Sequence, residues 1–92
     1  MTYRVIFTES FERRATKFFT KHRDLLSIYE KKLTLLSLNP HHPSLRLHKL
    51  SGRLNEFYSV SINMQYRILL EFIPDQTEIL LIDVGAHDEV YR

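Results

Sequence analysis

The chain has no cysteine and no tryptophan, and its 92 residues include only two glycines and three prolines. Without cysteine there is neither a disulfide framework nor a thiolate zinc site, and a reducing cytosol is the compartment that composition suits. No glycine-rich phosphate loop is present, nor a Ser-His-Asp spacing or a paired-carboxylate signature, so kinase chemistry, hydride transfer and serine hydrolysis have no support. No apolar run approaches the roughly 20 residues that cross a bilayer. The opening Met1-Thr2-Tyr3-Arg4 lacks the basic-then-apolar order of a signal peptide. A cytoplasmic protein with no membrane partner is the expectation. Repeats, low-complexity tracts and glycine- or proline-rich linkers are also missing, which predicts one domain over residues 1–92.

What is present is ordinary in bulk and uneven in detail. The composition, 43% hydrophobic and 26% charged, is that of a soluble globular chain. The net charge of +2 conceals two opposed halves. Residues 1–50 hold ten Lys/Arg and four Asp/Glu, whereas residues 51–92 hold three and seven, so the halves carry +6 and −4. A basic half suits a polyanion or an acidic protein; it also suits two helices that merely solvate their outer faces.

Periodicity gives the elements. Tyr3, Val5 and Phe7 alternate with Arg4, Ile6 and Thr8, as in a strand. Thr8 or Ser10 then caps a helix carrying Phe11, Ala15, Phe18, Phe19 and His22 at helical spacing, with Arg13, Arg14, Lys17 and Lys21 on its other faces. Asp24 is the expected cap of a second helix with the stripe Leu26, Tyr29, Leu33 and Leu36. Asn39-Pro40 ends it, because a residue before proline is disfavoured in the α region. Residues 39–53 read as a loop with a short extended piece around Leu45-Arg46-Leu47. Three strands follow: Tyr58 to Ile62, Tyr66 to Phe72, and Glu78 to Val84, the last apolar on both faces and so expected to be central. A three-residue loop at Asn63-Met64-Gln65 sets Ile62 against Tyr66, Val60 against Ile68 and Tyr58 against Leu70. Those six form the face for the helices, and Ser61 lies across from Arg67 on the other. If Leu80, Ile82 and Val84 also face the helices, Leu81 and Asp83 join the open face. The predicted fold is α+β and two-layered: an N-terminal strand and two antiparallel helices packed on one face of a mainly antiparallel four-stranded sheet.

Chemistry is sparse. Arg67, in the apolar run Tyr66-Arg67-Ile68-Leu69-Leu70, needs an anion or a hydrogen-bond sink. A bound phosphate would serve, and so would an ion pair with Asp83 or Glu71. His48 and His87 stand at element boundaries, and imidazole is the side chain suited to proton transfer near neutral pH, so they are candidates for general base and general acid, or else inert surface histidines. Tyr91 is a candidate for base stacking, or a hydrophobic anchor of the C-terminus. Arg46 and Lys49 would support phosphate binding or remain solvated. His41 and His42 read as inert loop residues. His42 and His48 lack a third, suitably spaced ligand, so neither a metal nor any other cofactor is expected.

Three segments carry a resemblance over nearly the whole chain. Leu47-His48-Lys49-Leu50-Ser51-Gly52-Arg53-Leu54, then Tyr66-Arg67-Ile68, then Val84-Gly85-Ala86-His87-Asp88-Glu89-Val90-Tyr91 resemble the RelE/ParE superfamily of type II toxin–antitoxin toxins, on its YafQ- and RelE-like branch. The resemblance implies a ribosome-dependent, metal-independent mRNA endonuclease that acts in the ribosomal A site and is neutralised by a cognate antitoxin. It implies partners in mRNA, the ribosome and that antitoxin. By position it implies catalytic roles for His48, Arg67, His87 and Tyr91, with Arg46, Lys49, Arg53, Ser59 and Ser61 along the RNA path. Ser59 and Ser61 depart from the family, standing where RelE-type members have two lysines and YafQ-type members an aspartate and a histidine. Gln65 replaces a YafQ-type aspartate. Two alternatives therefore stay open: a ParE-type poison of DNA gyrase without nuclease activity, and a weakened homologue that only binds its antitoxin.

Overall fold

The computed structural model describes residues 2–90, apart from the side chains of Pro74, Asp88 and Glu89. The chain runs through strand β1 (Arg4–Phe7), helices α1 (Glu9–Lys21) and α2 (Leu26–Leu38), strands β2 (His48–Lys49), β3 (Tyr58–Ser61), β4 (Tyr66–Ile73) and β5 (Glu78–Ala86), and a last turn of helix, α3 (His87–Val90). The sheet order is β1-β5-β4-β3-β2, with β1 parallel to β5 and every other pair antiparallel. The sheet has five strands rather than the expected four. The fifth, β2, is two residues long, too short for any alternation to show in the sequence.

Local chemistry explains the helices. Thr8 keeps an extended backbone and its hydroxyl oxygen accepts from the Phe11 N–H at 3.2 Å, while the same hydroxyl donates to the Leu81 carbonyl at 2.8 Å. One side chain thus caps α1 and fastens its start to β5. Glu9 and Glu12 in the first turn and Lys21 in the last complement the helix dipole. Asp24 does not cap α2. Arg23–Leu25 form a 3₁₀ turn that runs straight into the helix, and Leu25 before it already has helical dihedrals. The extended backbone that a capping carboxylate requires is therefore missing. The stripe shifts with it: Leu25 packs on the core and Leu26 is exposed.

The hairpin register is as expected: Tyr58 pairs with Leu70, Val60 with Ile68 and Ser61 with Arg67. Val60, Ile62, Ile68 and Leu70 are fully buried against Phe11 and Phe19 of α1 and Tyr29 and Leu36 of α2. The phase of β5 differs from expectation. A bulge between Leu69 and Leu70 sets Leu70 opposite Leu81 but Leu69 opposite Asp83, leaving Ile82 as the extra residue. Ile79 and Leu81 therefore join the core on the helix side, and Val84 rejoins it beyond the bulge. Ile82 turns instead to a second cluster on the opposite face, with Leu50, Leu69, Val90, Leu54 and Phe57. That face is thus only partly open, because the 50–57 loop and α3 cover Leu69.

No helix among the described residues is long and apolar enough to cross a membrane. Burial, reinforced by Glu12 and Glu30, pushes the Tyr29 phenol from 10.0 up to about 12. The neutral phenol is favoured in the fold, so this contribution is complete below pH 10 and is lost as the pH rises towards about 12. Tyr29→Phe should therefore lose less stability than the parent across that alkaline window, as read from urea melts at stepped pH. Parallel pH profiles would contradict the assignment.

Candidate active site

Strand alternation selects what reaches the second face. With Tyr66, Ile68 and Leu70 turned to the helices, Arg67 and Leu69 point away, as do their partners Ser61 and Ser59 on β3. On β2, His48 pairs with Ser59 and Lys49 with Tyr58. His48 therefore shares the face of Arg67, and Lys49 lies on the helix side. His87 follows the last residue of β5 and opens α3.

Arg46, Leu47, His48, Arg67 and His87 line one open depression of about 360 Å³. An adjoining hollow of about 290 Å³ is lined by His48, Leu50, Ser51, Leu54 and His87. Both histidines border both hollows. Four of the residues singled out in the sequence, Arg46, His48, Arg67 and His87, are thereby brought together from three separate segments.

The seat of Arg67 answers the question its position raised. Its Nε donates to the Ser59 hydroxyl at 2.9 Å, and its Nη2 donates to the Arg46 carbonyl at 2.8 Å and to the Ser59 carbonyl at 3.4 Å. All three acceptors are neutral. Asp83 pairs instead with Arg14 of α1 at 3.7 Å, and the other ion pair among the described residues joins Arg4 to Glu78. Glu71, four residues along the strand, lies about 13 Å from Arg67 at strand rise. The guanidinium is therefore held in place without a carboxylate from the described side chains to neutralise it, and Nη1 takes part in none of these three bonds.

The Arg46 carbonyl reaches Arg67 because the extended piece expected around Leu45-Arg46-Leu47 is broken at Leu45 and Arg46. Pro43–Leu45 form a 3₁₀ turn, and Arg46 closes it in the left-handed region with φ 49° and its N–H on the Pro43 carbonyl. The His42 ring Nδ1 accepts from the Ser44 N–H at 3.1 Å, and Lys32 of α2 donates to the Ser44 carbonyl at 2.6 Å. Burial, and then the charge of Arg46, lower the Lys32 pKa. Neither Lys32 nor the structural use of His42 was legible in the sequence, because both act through backbone atoms of a turn.

The remaining candidates fall elsewhere. Ser59 is fully buried beneath Arg67, and Ser61 is nearly so, its hydroxyl donating to the Asn63 carbonyl at 2.7 Å. Arg53 is exposed on the Gly52–Leu54 turn and lines neither hollow. Tyr91 lies outside the described residues. Among the described residues no three His, Asp or Glu side chains are grouped to hold a metal ion.

No protein-family model matches the chain, and no curated protein sequence matches it either. Solved structures do. A copper-bound substituted toxin from Helicobacter pylori superposes with TM-score 0.74 at 23% identity, over 98% of this chain and 99% of the other. Escherichia coli YafQ superposes with TM-score 0.79 at 12% identity, again over 98% and 99%. The E. coli DinJ–YafQ toxin–antitoxin complex gives TM-score 0.77 at 12% identity over the whole of both chains. The chain has the RelE-like fold. The RelE-like assignment covers the helix pair, the mixed sheet and nearly the full length, and at these identities it speaks for architecture alone.

Proposed function

We propose that this protein is the toxin of a type II toxin–antitoxin pair and cleaves mRNA on the ribosome without a metal ion. One observation carries the reading: His48, His87 and Arg67 converge on a single open depression from β2, the β5–α3 junction and β4. Two imidazoles and a guanidinium are a sufficient set for transesterification of RNA. The ribose 2′-OH attacks its own neighbouring phosphate, so the substrate supplies the proximity. His48 takes the 2′ proton. Arg67 balances charge on the pentacoordinate phosphorus. His87 protonates the departing 5′-oxygen. The products are a 2′,3′-cyclic phosphate and a 5′-OH. An exposed site suits a strand presented by a large partner, since no enclosed pocket is needed to hold a small substrate.

The test is inducible expression in bacteria followed by primer extension on a translated reporter mRNA and on the same message with its start codon removed. Discrete, codon-spaced cleavages confined to the translated message are expected, with 5′-OH ends that polynucleotide kinase labels directly. Growth arrest over intact mRNA would overturn the nuclease and leave a poison of gyrase or of the ribosome.

A further inference from the structure

Arg46 holds a backbone conformation that its side chain does not favour. At φ 49° it is a non-glycine residue in the left-handed region, where Cβ crowds the carbonyl oxygen. Such a residue persists only where its surroundings over-determine it. Here they do. Leu45, just before it, is fully buried in the main core. Ser44 is held at both of its backbone groups: its N–H donates to the His42 Nδ1 at 3.1 Å, and its carbonyl accepts from the Lys32 ammonium of α2 at 2.6 Å. The Arg46 N–H closes the turn on the Pro43 carbonyl at 3.1 Å, and the Arg46 carbonyl accepts from the Arg67 Nη2 at 2.8 Å. A surface lysine ordinarily carries its ammonium out to water. That of Lys32 is instead partly buried, close enough to the like charge of Arg46 to feel it, and aimed at a backbone carbonyl.

We propose that Lys32 is a remote positioning residue for Arg67. It fixes the Ser44 carbonyl, the turn so held fixes the Arg46 carbonyl, and that carbonyl fixes the guanidinium in the depression. This role rests on the reading of the depression as the cleavage site. The second anchor matters because the guanidinium is planar. Held by Nε on the Ser59 hydroxyl alone, it could still tilt about that one bond, and the Nη2 contact with the Ser59 carbonyl is long at 3.4 Å. Held also by Nη2 on the Arg46 carbonyl, its plane is set. A misplacement of about 1 Å at a reacting centre can cost about 10²-fold, so a clamp one helix away is felt in the chemistry. A direct role of Lys32 on RNA fits less well, since it lines neither hollow and its ammonium is turned onto Ser44.

The variants are Lys32→Met, which keeps the stem and removes the donor, Lys32→Arg, which restores a charged donor, and Lys31→Met, an exposed cation one residue away on α2. The first readout is single-turnover mRNA cleavage on programmed ribosomes over a range of protein concentrations, with melting midpoints measured beside it. Lys32→Met should lower the maximal rate by about tenfold and leave the half-saturating concentration within about twofold, since a misaimed Arg67 harms the transition state and not association. Lys32→Arg should return to within about threefold of the parent, because one carbonyl acceptor needs one charged donor. Lys31→Met should change the rate by less than about twofold. In an Arg67→Lys background, Lys32→Met should cost less than about twofold, because the group it positions is gone. The second readout is independent of cleavage. The Arg67 Nε–H resonance, assigned by its loss in Arg67→Lys, should exchange with water at least about fivefold faster in Lys32→Met than in the parent. An unchanged maximal rate, a loss confined to the half-saturating concentration, an equal loss in the Arg67→Lys background, or an unchanged Arg67 exchange rate would each overturn the role of Lys32. A parent protein that leaves mRNA intact would sink the nuclease reading instead, and the exchange rate alone would then decide whether Lys32 holds Arg67.

Discussion

His48→Ala and His87→Ala should each slow mRNA cleavage by about 10²–10⁴-fold, the usual contribution of a positioned acid or base, while the unfolding midpoint moves by little. The two halves of that expectation come from the same structural fact. Both side chains are exposed and neither belongs to either apolar cluster, so neither packs the fold. Yet both border the hollow that Arg67 enters, one from β2 and one from the start of α3. A base and an acid acting on opposite sides of one phosphorus serve the same displacement. The double variant should therefore be much less impaired than the product of the two single losses. Time courses of primer-extension products from a reporter mRNA, run beside thermal melts of the purified variants, separate chemistry from stability. Cleavage by both variants at the parental rate would remove the histidines from the mechanism.

The seat of Arg67 was legible because it depends on short-range rules, whereas the two-residue β2 that sets His48 beside it was not. A three-residue hairpin loop and a period of two fix Ser61 opposite Arg67 and put both on the face away from Val60 and Ile68, and nothing distant can alter that register. β5 was harder to read because its apolar run, Ile79 to Ile82, carries no alternation of its own. Its phase is set by a bulge opposite Leu69 and Leu70, a feature of the pairing rather than of β5 alone. The Arg67–Asp83 ion pair, one of the alternatives the sequence left open, is not formed, since Asp83 reaches Arg14 instead. The turn at Arg46 could not be read from an apolar–basic–apolar triplet, which is equally good as a strand. Its left-handed backbone is stabilised by tertiary contacts, from Lys32 through Ser44 and from Arg67 itself. On α1, Lys17 and Lys21 belong to the same side as Phe18 and His22, because positions one residue apart differ by only 100° and the basic and aromatic stripes share a border.

Arg67→Lys should cost about 10²–10³-fold in cleavage although it keeps the charge. The guanidinium meets Ser59 through Nε and Arg46 through Nη2 at once, a fork that a single ammonium cannot reproduce. Lysine leaves the fully buried Ser59 hydroxyl or the Arg46 carbonyl without its charged donor, lowering stability by about 1–3 kcal/mol as well. Ser59 itself lies beneath the guanidinium rather than in the open depression, so it is a positioning residue. Ser59→Ala alone should reduce cleavage less than Arg67→Lys, by about tenfold, because Arg67 retains its bond to the Arg46 carbonyl. The decisive comparison is the double variant. If Ser59 acts only through Arg67, adding Ser59→Ala to Arg67→Lys should change the cleavage rate little, because the group it positions is already gone. A further tenfold loss in that background would mean that Ser59 meets the substrate by itself, and it would then have to be counted among the groups that touch RNA.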